Sequence, residues 1–364
     1  MRLMHFIHTP RHSGAEMLVF NLSKLHRQWG HECAVASFAP PQAEFQPQID
    51  ELSRIRVELY FPNQEKTHLS RITHFRDAIK RFRPDVVFGH SEMPSLYGRF
   101  SASLGKHRIP FATVLHAASQ NDFSSRLSIW AERLTRYRVN HVVAVSELGQ
   151  TNYQNKFGKT IPVTVIKNGV DLSRFTSSDR KVSRQVLGMD ENTKLVMQVG
   201  RLSDVKQQML SLIAMRPLLE QGNTKLWFAG LTEDPAYETA LQHRINSLNL
   251  TNCVCLLGSR SDIPELLAAA DVYLMPSKRE AHSVAMLEAL ASGVPIVASD
   301  ISAFSFAKSY PSVAICKTDN DQEWTDAINM MLKAPRVDRN LDEYSIERTA
   351  RNYITLFDNE THRQ

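Results

Sequence analysis

The stretch whose reading decides the fold is Pro276-Ser-Lys-Arg-Glu280-Ala-His-Ser-Val-Ala-Met-Leu-Glu288-Ala-Leu-Ala-Ser-Gly293-Val-Pro-Ile-Val-Ala-Ser-Asp300. Just before it, the short apolar run Val272-Tyr-Leu-Met275 meets a proline, the pattern of a buried strand ending in a loop. Ser283 is placed to cap a helix from about Val284 to Ser292, and Gly293 to stop it. Pro295-Ile-Val-Ala298 is then the next strand, so the stretch reads as one βαβ unit. In an open parallel sheet, ligands bind beyond the carboxyl ends of the strands, where this loop lies. The helix N-terminus offers unpaired N–H groups and about half a positive charge, a setting for an anion. Two glutamates frame it, Glu280 in the loop and Glu288 one turn into the helix. On spacing alone they serve equally well as a loop charge and a solvated helix residue.

Glu-x7-Glu after Pro-Ser, followed by Glu-Ala-Leu-Ala-x-Gly-x-Pro-Ile-Val-Ala, resembles the signature of the retaining glycosyltransferases of family 4, also called group 1, which have the GT-B fold. The match is long and specific, with one departure. Ala281-His282-Ser283 stands where the family usually has Gly-Phe-Gly.

Composition bounds the rest. A chain of 364 residues suits two domains, each with its own core. Its 43% apolar and 22% charged content is ordinary for a globular protein. No apolar run is long enough to span a bilayer, and Met1-Arg-Leu-Met-His-Phe-Ile-His8 reads as a first strand rather than a signal peptide. A cytoplasmic location is the expectation. The four cysteines lack ligand or Cys-x-x-Cys spacing and read as reduced, structural thiols. None of the fourteen histidines is paired at helical ligand spacing with a carboxylate, so scattered surface and loop histidines are expected, with no metal site and no cofactor. Charge is uneven: residues 1–180 carry 24 Lys and Arg against 15 Asp and Glu, and the remainder 19 against 23. The first half, at a net +9, is thus set to face something acidic.

Strands are expected near 2–7, 31–38, 55–60, 85–90, 110–116, 141–145 and 161–166, with helices near 15–29, 67–83, 94–106, 124–139 and 146–157. That alternation argues a mostly parallel sheet with helices on both faces. The first βα turn, His8-Thr-Pro-Arg-His-Ser13-Gly14-Ala15-Glu16, could be a plain turn, but it resembles the family's Gly-Gly-Ala-Glu loop against the donor, with only Gly14 of the pair retained. A dinucleotide Gly-x-Gly-x-x-Gly and a Walker loop are both absent, which counts against a dehydrogenase or an NTPase. His116 ends the strand Pro110-Phe-Ala-Thr-Val-Leu-His116. It could be a polar strand end; the resemblance makes it the residue that reaches the transferred sugar. Asn168-Gly-Val-Asp171 resembles the family's crossing into the second domain, and the polar stretch Ser173 to Ser183 is the expected linker.

In the second half, Lys194-Leu-Val-Met-Gln-Val-Gly200 leads into Arg201-Leu-Ser-Asp-Val-Lys206-Gln. As isolated charges Arg201 and Lys206 would be a solvated loop. Gly-Arg-Leu-x3-Lys resembles the family's diphosphate clamp, here ending in Gln207 rather than glycine, and two cations suit two phosphates. Leu226-Trp-Phe-Ala-Gly230, a helix to about Leu248, and Cys253 to Asp262 follow; the last resembles the loop that holds the donor's base and contains Arg260. The tail from Ser345 reads as a helix that, in the family, crosses back onto the first domain.

The resemblance implies an α/β protein of the GT-B class, two Rossmann-like domains facing each other across a cleft, with an N-terminal acceptor domain over 1–170 plus the helix 345–364, and a nucleotide-sugar domain over 171–344. It implies retaining transfer from a UDP- or GDP-sugar without a protein nucleophile. Arg201, Lys206 and the N–H groups at Ala281, His282, Ser283 and Val284 would stabilise the leaving diphosphate, Glu280 would hold sugar hydroxyls, and Glu288 the ribose. No metal is expected, since no Asp-x-Asp lies at a strand end, and nucleic acid is not an expected partner. A glycoside hydrolase is the poorer alternative: its carboxyl groups lie about 5–10 Å apart, whereas eight residues on one helix would separate Glu280 and Glu288 by about 12 Å. A non-hydrolysing nucleotide-sugar epimerase and a non-catalytic GT-B-like partner-binding subunit stay open.

Two basic amphipathic helices lie in the first half. The stripe Leu69, Ile72, Phe75, Ile79 and Phe82 of the first can pack on the sheet or face an interface. The second, Ser125 to Arg138, places Trp130 and Tyr137 beside four arginines, which suits an anionic surface. The expected acceptor is therefore a glycan or lipid-linked glycan of a bacterial surface polysaccharide, with peripheral contact to the inner face of an anionic membrane.

Overall fold

Arg2–Ile7 (β1) is buried at every residue after its first, as is the flanking strand Glu32–Ser37, and Val86–His90 is buried throughout, because each strand is covered on both faces and its residues are therefore mostly apolar. The structure, a computed structural model, describes residues 1–104, 108–116, 123–176 and 178–357. They divide into two units, Met1–Gly169 joined by the segment from Glu343, and Val170–Asp342.

In the first unit β1 is followed by Gly14–Gln28 (α1), Glu32–Ser37 (β2), Gln46–Arg54 (α2), Glu58–Tyr60 (β3), His68–Phe82 (α3) and Val86–His90 (β4). Glu92–Ser103 (α4), Phe111–Leu115 (β5), Arg126–Thr135 (α5), His141–Ala144 (β6), Glu147–Phe157 (α6) and Val163–Val165 (β7) complete it. The sheet is parallel in the order β3-β2-β1-β4-β5-β6-β7. The C-terminal helix, Ile346–Thr355, buries Ile346, Ala350 and Tyr353 in the same core as Leu18 and Leu22 of α1. Its entry needs Gly169, where an added Cβ would sit 2.5 Å from the Ser345 carbonyl oxygen and 2.7 Å from Ile346 Cα.

The second unit runs Leu172–Thr176 (α7), Arg180–Val186 (α8), Lys194–Val199 (β8), Gln208–Leu219 (α9), Thr224–Ala229 (β9), Pro235–Ser247 (α10) and Val254–Leu256 (β10). Ile263–Ala269 (α11), Val272–Met275 (β11), Val284–Ala291 (α12), Ile296–Ser299 (β12), Val313–Cys316 (β13) and Asp321–Met331 (α13) follow. This sheet is also parallel, ordered β10-β9-β8-β11-β12-β13. The deciding stretch folds as read: Ser283 Oγ caps α12 by accepting from Met286 N at 3.4 Å, and Gly293 takes φ +75° just after the helix.

Two expectations need correction, and one open choice, that of the α3 stripe, is decided. The polar stretch Ser173 to Ser183 is not a simple linker, for α7 and α8 occupy most of it. Its arginines serve as struts: Arg180 and Arg184 donate to the Ala269 carbonyl at 2.9 and 2.8 Å, and Arg180 pairs with Asp271 at 2.9 Å. The stripe of α3 packs inward at Phe75, Ile79 and Phe82, while Leu69 is exposed. The histidines are not all surface and loop residues, since His5, His26 and His90 are fully buried. Residue 177, the end of the expected 94–106 helix and the tail beyond Phe357 lie outside the described residues. All four cysteines are free thiols, Cys33 and Cys316 buried.

Candidate active site

Each sheet has one place where the chain departs in opposite directions from adjacent strands: β1 and β4 in the first unit, β8 and β11 in the second. The loops leaving such a pair splay apart, and ligands of open α/β sheets bind there.

In the second unit, three strands of the carboxyl edge end on glycine, at Gly200, Gly230 and Gly258. Gly230 N donates to Gly258 O, and Gly200 N to Ala229 O, both at 2.8 Å. A Cβ at Gly230 would lie 2.1 Å from the Gly200 carbonyl oxygen, so only glycine lets these two strand ends draw together. The loop from Arg201 then turns back through Gln207, which takes the left-handed φ +52° before α9. That conformation favours glycine, which accounts for glycine being usual at this position in the resemblance. Gln208 holds the turn, donating to Arg201 O at 3.0 Å, and Gln198 donates to Lys206 O at 2.6 Å.

The loop after β11 is laced to this turn. Lys278 N donates to Val205 O at 2.9 Å, and Lys278 Nζ bridges both Asp204 oxygens at 2.7 Å. Beside that backbone contact, Lys206 Nζ and the Glu280 carboxylate form an ion pair that is largely withdrawn from water. Beneath them Tyr273 is fully buried; burial first, then the Glu288 and Glu280 carboxyls, hold its hydroxyl well above the usual tyrosine range. Glu288 itself is pushed up to about 7 by burial, with the Arg174 guanidinium pulling the other way. Arg174 escaped sequence reasoning because it sits on α7, which packs against α12 from more than a hundred residues away in the chain. At the head of α12, His282 is buried with its ring stacked on Phe306 at 5.6 Å. The remaining two expected residues are turned to other partners: Arg201 pairs with Glu233, and Arg260 grips Asp262 with two nitrogens, Nε at 2.8 Å. Both pairs are half-exposed and open to exchange with an incoming anion.

In the first unit Gly14 is the exposed first residue of α1. Glu16, two residues on, is buried and accepts from Ser13 Oγ. His116 directly follows β5, and its pKa is lowered to about 4 by burial. Its Nε2 lies 3.0 Å from His90 Nδ1. Sequence reasoning missed His90; the available signal was a histidine closing each of two consecutive buried runs, Gly89-His90 and Leu115-His116. Among the described residues no group of three His, Cys, Asp or Glu side chains is placed to hold a metal.

The family model of glycosyl transferases group 1 matches residues 179–348, and that of glycosyltransferase family 4 matches residues 12–174. The chain belongs to this family. It is 32% identical over 204 residues to a lipopolysaccharide core biosynthesis mannosyltransferase, LpsB, of Rhizobium meliloti (strain 1021), covering 54% of each chain. It is 26% identical to a UDP-Gal:alpha-D-GlcNAc-diphosphoundecaprenol alpha-1,3-galactosyltransferase of Escherichia coli, over 61% of this chain and 59% of the relative. The match thus spans little more than half the length of these two relatives. The crystal structure of HepE of Anabaena, solved with UDP and glucose, superposes with a TM-score of 0.77 at 21% identity over 99% of this chain and 98% of that one. The fold of this family member is therefore that of the GT-B enzymes, with two Rossmann-like parallel sheets.

Proposed function

We propose that this family 4 protein is a retaining glycosyltransferase that moves a sugar from a UDP- or GDP-sugar to a lipid-linked glycan acceptor in bacterial surface polysaccharide synthesis, such as lipopolysaccharide, capsule or exopolysaccharide. The observation that carries it is the largely water-shielded Lys206–Glu280 pair at the β8–β11 switch point, with Glu288 near it. A diphosphate brings more negative charge than one carboxylate, so it would draw the Lys206 ammonium from Glu280. Glu280 is then free to accept hydrogen bonds from hydroxyls of the bound sugar. Arg201, Arg260 and the N–H groups from Ala281 to Val284 would add to the charge stabilisation of the leaving diphosphate. Glu288 would meet the ribose hydroxyls, and Gly14 and His116 the donor from the first unit. The departing phosphate would accept the acceptor's proton on the same face, which keeps the anomeric configuration and asks no nucleophile of the protein.

Two relatives, a lipopolysaccharide core mannosyltransferase and a galactosyltransferase acting on a diphosphoundecaprenol, support this substrate class. The test is a screen of nucleotide sugars for acceptor-dependent release of nucleoside diphosphate, with the anomer of the product read by NMR. Interconversion of the sugar nucleotide without an acceptor would instead make this an epimerase. A failure of any nucleoside diphosphate to raise thermal stability would point to a non-catalytic subunit. The reaction is proposed to run without a divalent metal; activity lost in excess chelator and restored by one particular metal would overturn that.

The proposed membrane contact is supported by α5, which turns polar side chains inward alongside Ile129 and leaves an apolar stripe outside. Its polar residues Ser128, Glu132 and Thr135 are buried, and Leu127, Trp130 and Leu134, with Tyr137 in the turn just after it, at spacings of three, four and three, are 81%, 62%, 62% and 62% exposed. The inward face is fixed by a fully buried ion pair, Arg99 Nη1 to Glu132 Oε2 at 2.7 Å. Arg126 and Arg133 flank the outward stripe. An exposed apolar stripe edged by arginines fits the headgroup region of an anionic bilayer. No described helix is long and apolar enough to cross one, so contact with the inner face of the cytoplasmic membrane would be peripheral.

A further inference from the structure

Three imidazoles cross the first sheet in a line. His5 lies on β1, His90 on β4 and His116 just past β5, three neighbouring strands. His5 Nδ1 is 2.9 Å from His90 Nε2, and His90 Nδ1 is 3.0 Å from His116 Nε2. The rings are walled in: Phe88 stacks on His5 at 5.1 Å, and Tyr353 lies parallel to His90 at 6.4 Å. His26 is near His5, with ring centroids 6.3 Å apart, but its Nε2 is taken by the Ala350 carbonyl at 3.0 Å, so it is no link of the line. Burial favours the neutral form of all three rings.

A neutral imidazole owns one N–H, and each nitrogen–nitrogen contact requires one. The protons must therefore run in a single sense. Either every ring is protonated at Nδ1, so that His5 donates to His90 and His90 to His116, or every ring is protonated at Nε2 and donation runs backwards. In the second arrangement the Nε2–H of His5 is buried with no acceptor among the described residues. In the first, that position holds a bare nitrogen, the cheaper orphan, since unpaired buried N–H groups are the rarer kind.

We propose that His5 and His90 are positioning residues that lock His116 in its Nδ1–H tautomer, so that its second nitrogen presents a hydrogen-bond donor to an oxygen of the transferred sugar. This rests on the functional reading above, in which His116 meets the donor. Free histidine in water prefers the other tautomer, so the lock has a signature of its own. His90 is the residue to test, because asparagine and glutamine divide its two contacts. The amide of His90→Asn stands where Nδ1 was and can still donate to His116. That of His90→Gln stands where Nε2 was and can only meet His5.

The full chain labelled with 15N-histidine, with the His116 signals assigned by their loss in His116→Gln, reads the tautomer from long-range 1H–15N couplings at neutral pH. The expected pattern is Nδ1–H for His116 in the wild type and in His90→Asn, and a shift towards Nε2–H in His90→Gln. Turnover should follow, His90→Gln falling roughly tenfold further than His90→Asn in kcat with little change in KM. Nε2–H at His116 in the wild type, or one pattern shared by both variants, overturns the lock. A locked tautomer in an enzyme whose His116→Gln variant transfers sugar at the wild-type rate overturns the positioning role instead, and takes His116 out of the reaction.

Discussion

The two switch points are built from opposite materials. That of the first unit is neutral: three imidazoles kept uncharged by burial, hydrogen-bonded nitrogen to nitrogen. That of the second is ionic: Lys206 against Glu280, Lys278 against Asp204, and Arg201 against Glu233. The difference matches what each would meet. A diphosphate requires full charges that can be exchanged, whereas sugar hydroxyls require directed, uncharged donors and acceptors, for which a charged ring would be a poor discriminator.

Breaking the ionic side should have the largest effect. Arg201→Ala combined with Lys206→Ala removes both cations proposed for the leaving diphosphate, and each such donor is worth about 10²–10³ in kcat. Transfer should fall by about four orders of magnitude or more, with far-ultraviolet circular dichroism unchanged, since neither residue holds the fold by a buried contact other than Lys206–Glu280. A well-folded double variant turning over near the wild-type rate would remove the clamp from the mechanism.

The same contrast predicts two opposing pH slopes in stability. The native first unit resists protonating its histidines, whereas the unfolded chain protonates them at their ordinary pKa of about 6.5. The unfolded state then binds more protons, and stability is lost as pH falls from about 6.5 towards 4. Glu288 acts in the other sense. The native state keeps its proton up to about 7 and the unfolded state releases it near 4.5, so its contribution is full below 4.5 and lost as pH rises to about 7. Glu288→Gln should therefore gain on the wild type in urea unfolding as pH rises through that window, by at most about 3 kcal/mol. A stability difference independent of pH would show that Glu288 is solvated in the native protein.

What could be read from the sequence follows the same division. The ionic site is nearly contiguous: Gly200 to Gln207 and Pro276 to Glu288 are two short loops, and each announces itself by a glycine or proline after an apolar run. The neutral site is dispersed, one histidine on each of two strands and a third just past a neighbouring one, with His5 and His90 separated by 85 positions. A histidine closing each of two consecutive buried runs hints at His90 and His116, but no local pattern marks His5, and a count of histidines cannot separate buried ones from surface ones. Most strands were legible as apolar runs, since two-sided burial favours that composition. α8 was not, because its arginines work by reaching carbonyls of α11 and Asp271, and their charge reads as solvation until the partner is seen. For α5 the sequence shows Trp130 and Tyr137 among arginines, but the inward turn of Glu132 depends on Arg99, a separate helix.

That helix gives the smallest expected effect and the finest test of the comparison, because it belongs to the unit whose switch point is neutral yet would be held by charge. Each basic residue near an anionic surface contributes about 1 kcal/mol, and the exposed apolar stripe adds a term that salt does not screen. Vesicles of anionic lipid should therefore sediment the protein at low salt, and high salt should weaken binding without abolishing it. Arg126→Gln with Arg133→Gln should remove most of the salt dependence. Trp130→Ser with Leu127→Ser should lower binding at every salt concentration, and should leave thermal stability nearly unchanged because both side chains are already in water. Neutral vesicles should bind weakly throughout. Absence of binding to anionic vesicles at low salt, or binding that ignores salt altogether, would remove the electrostatic anchor and favour an acceptor met in solution.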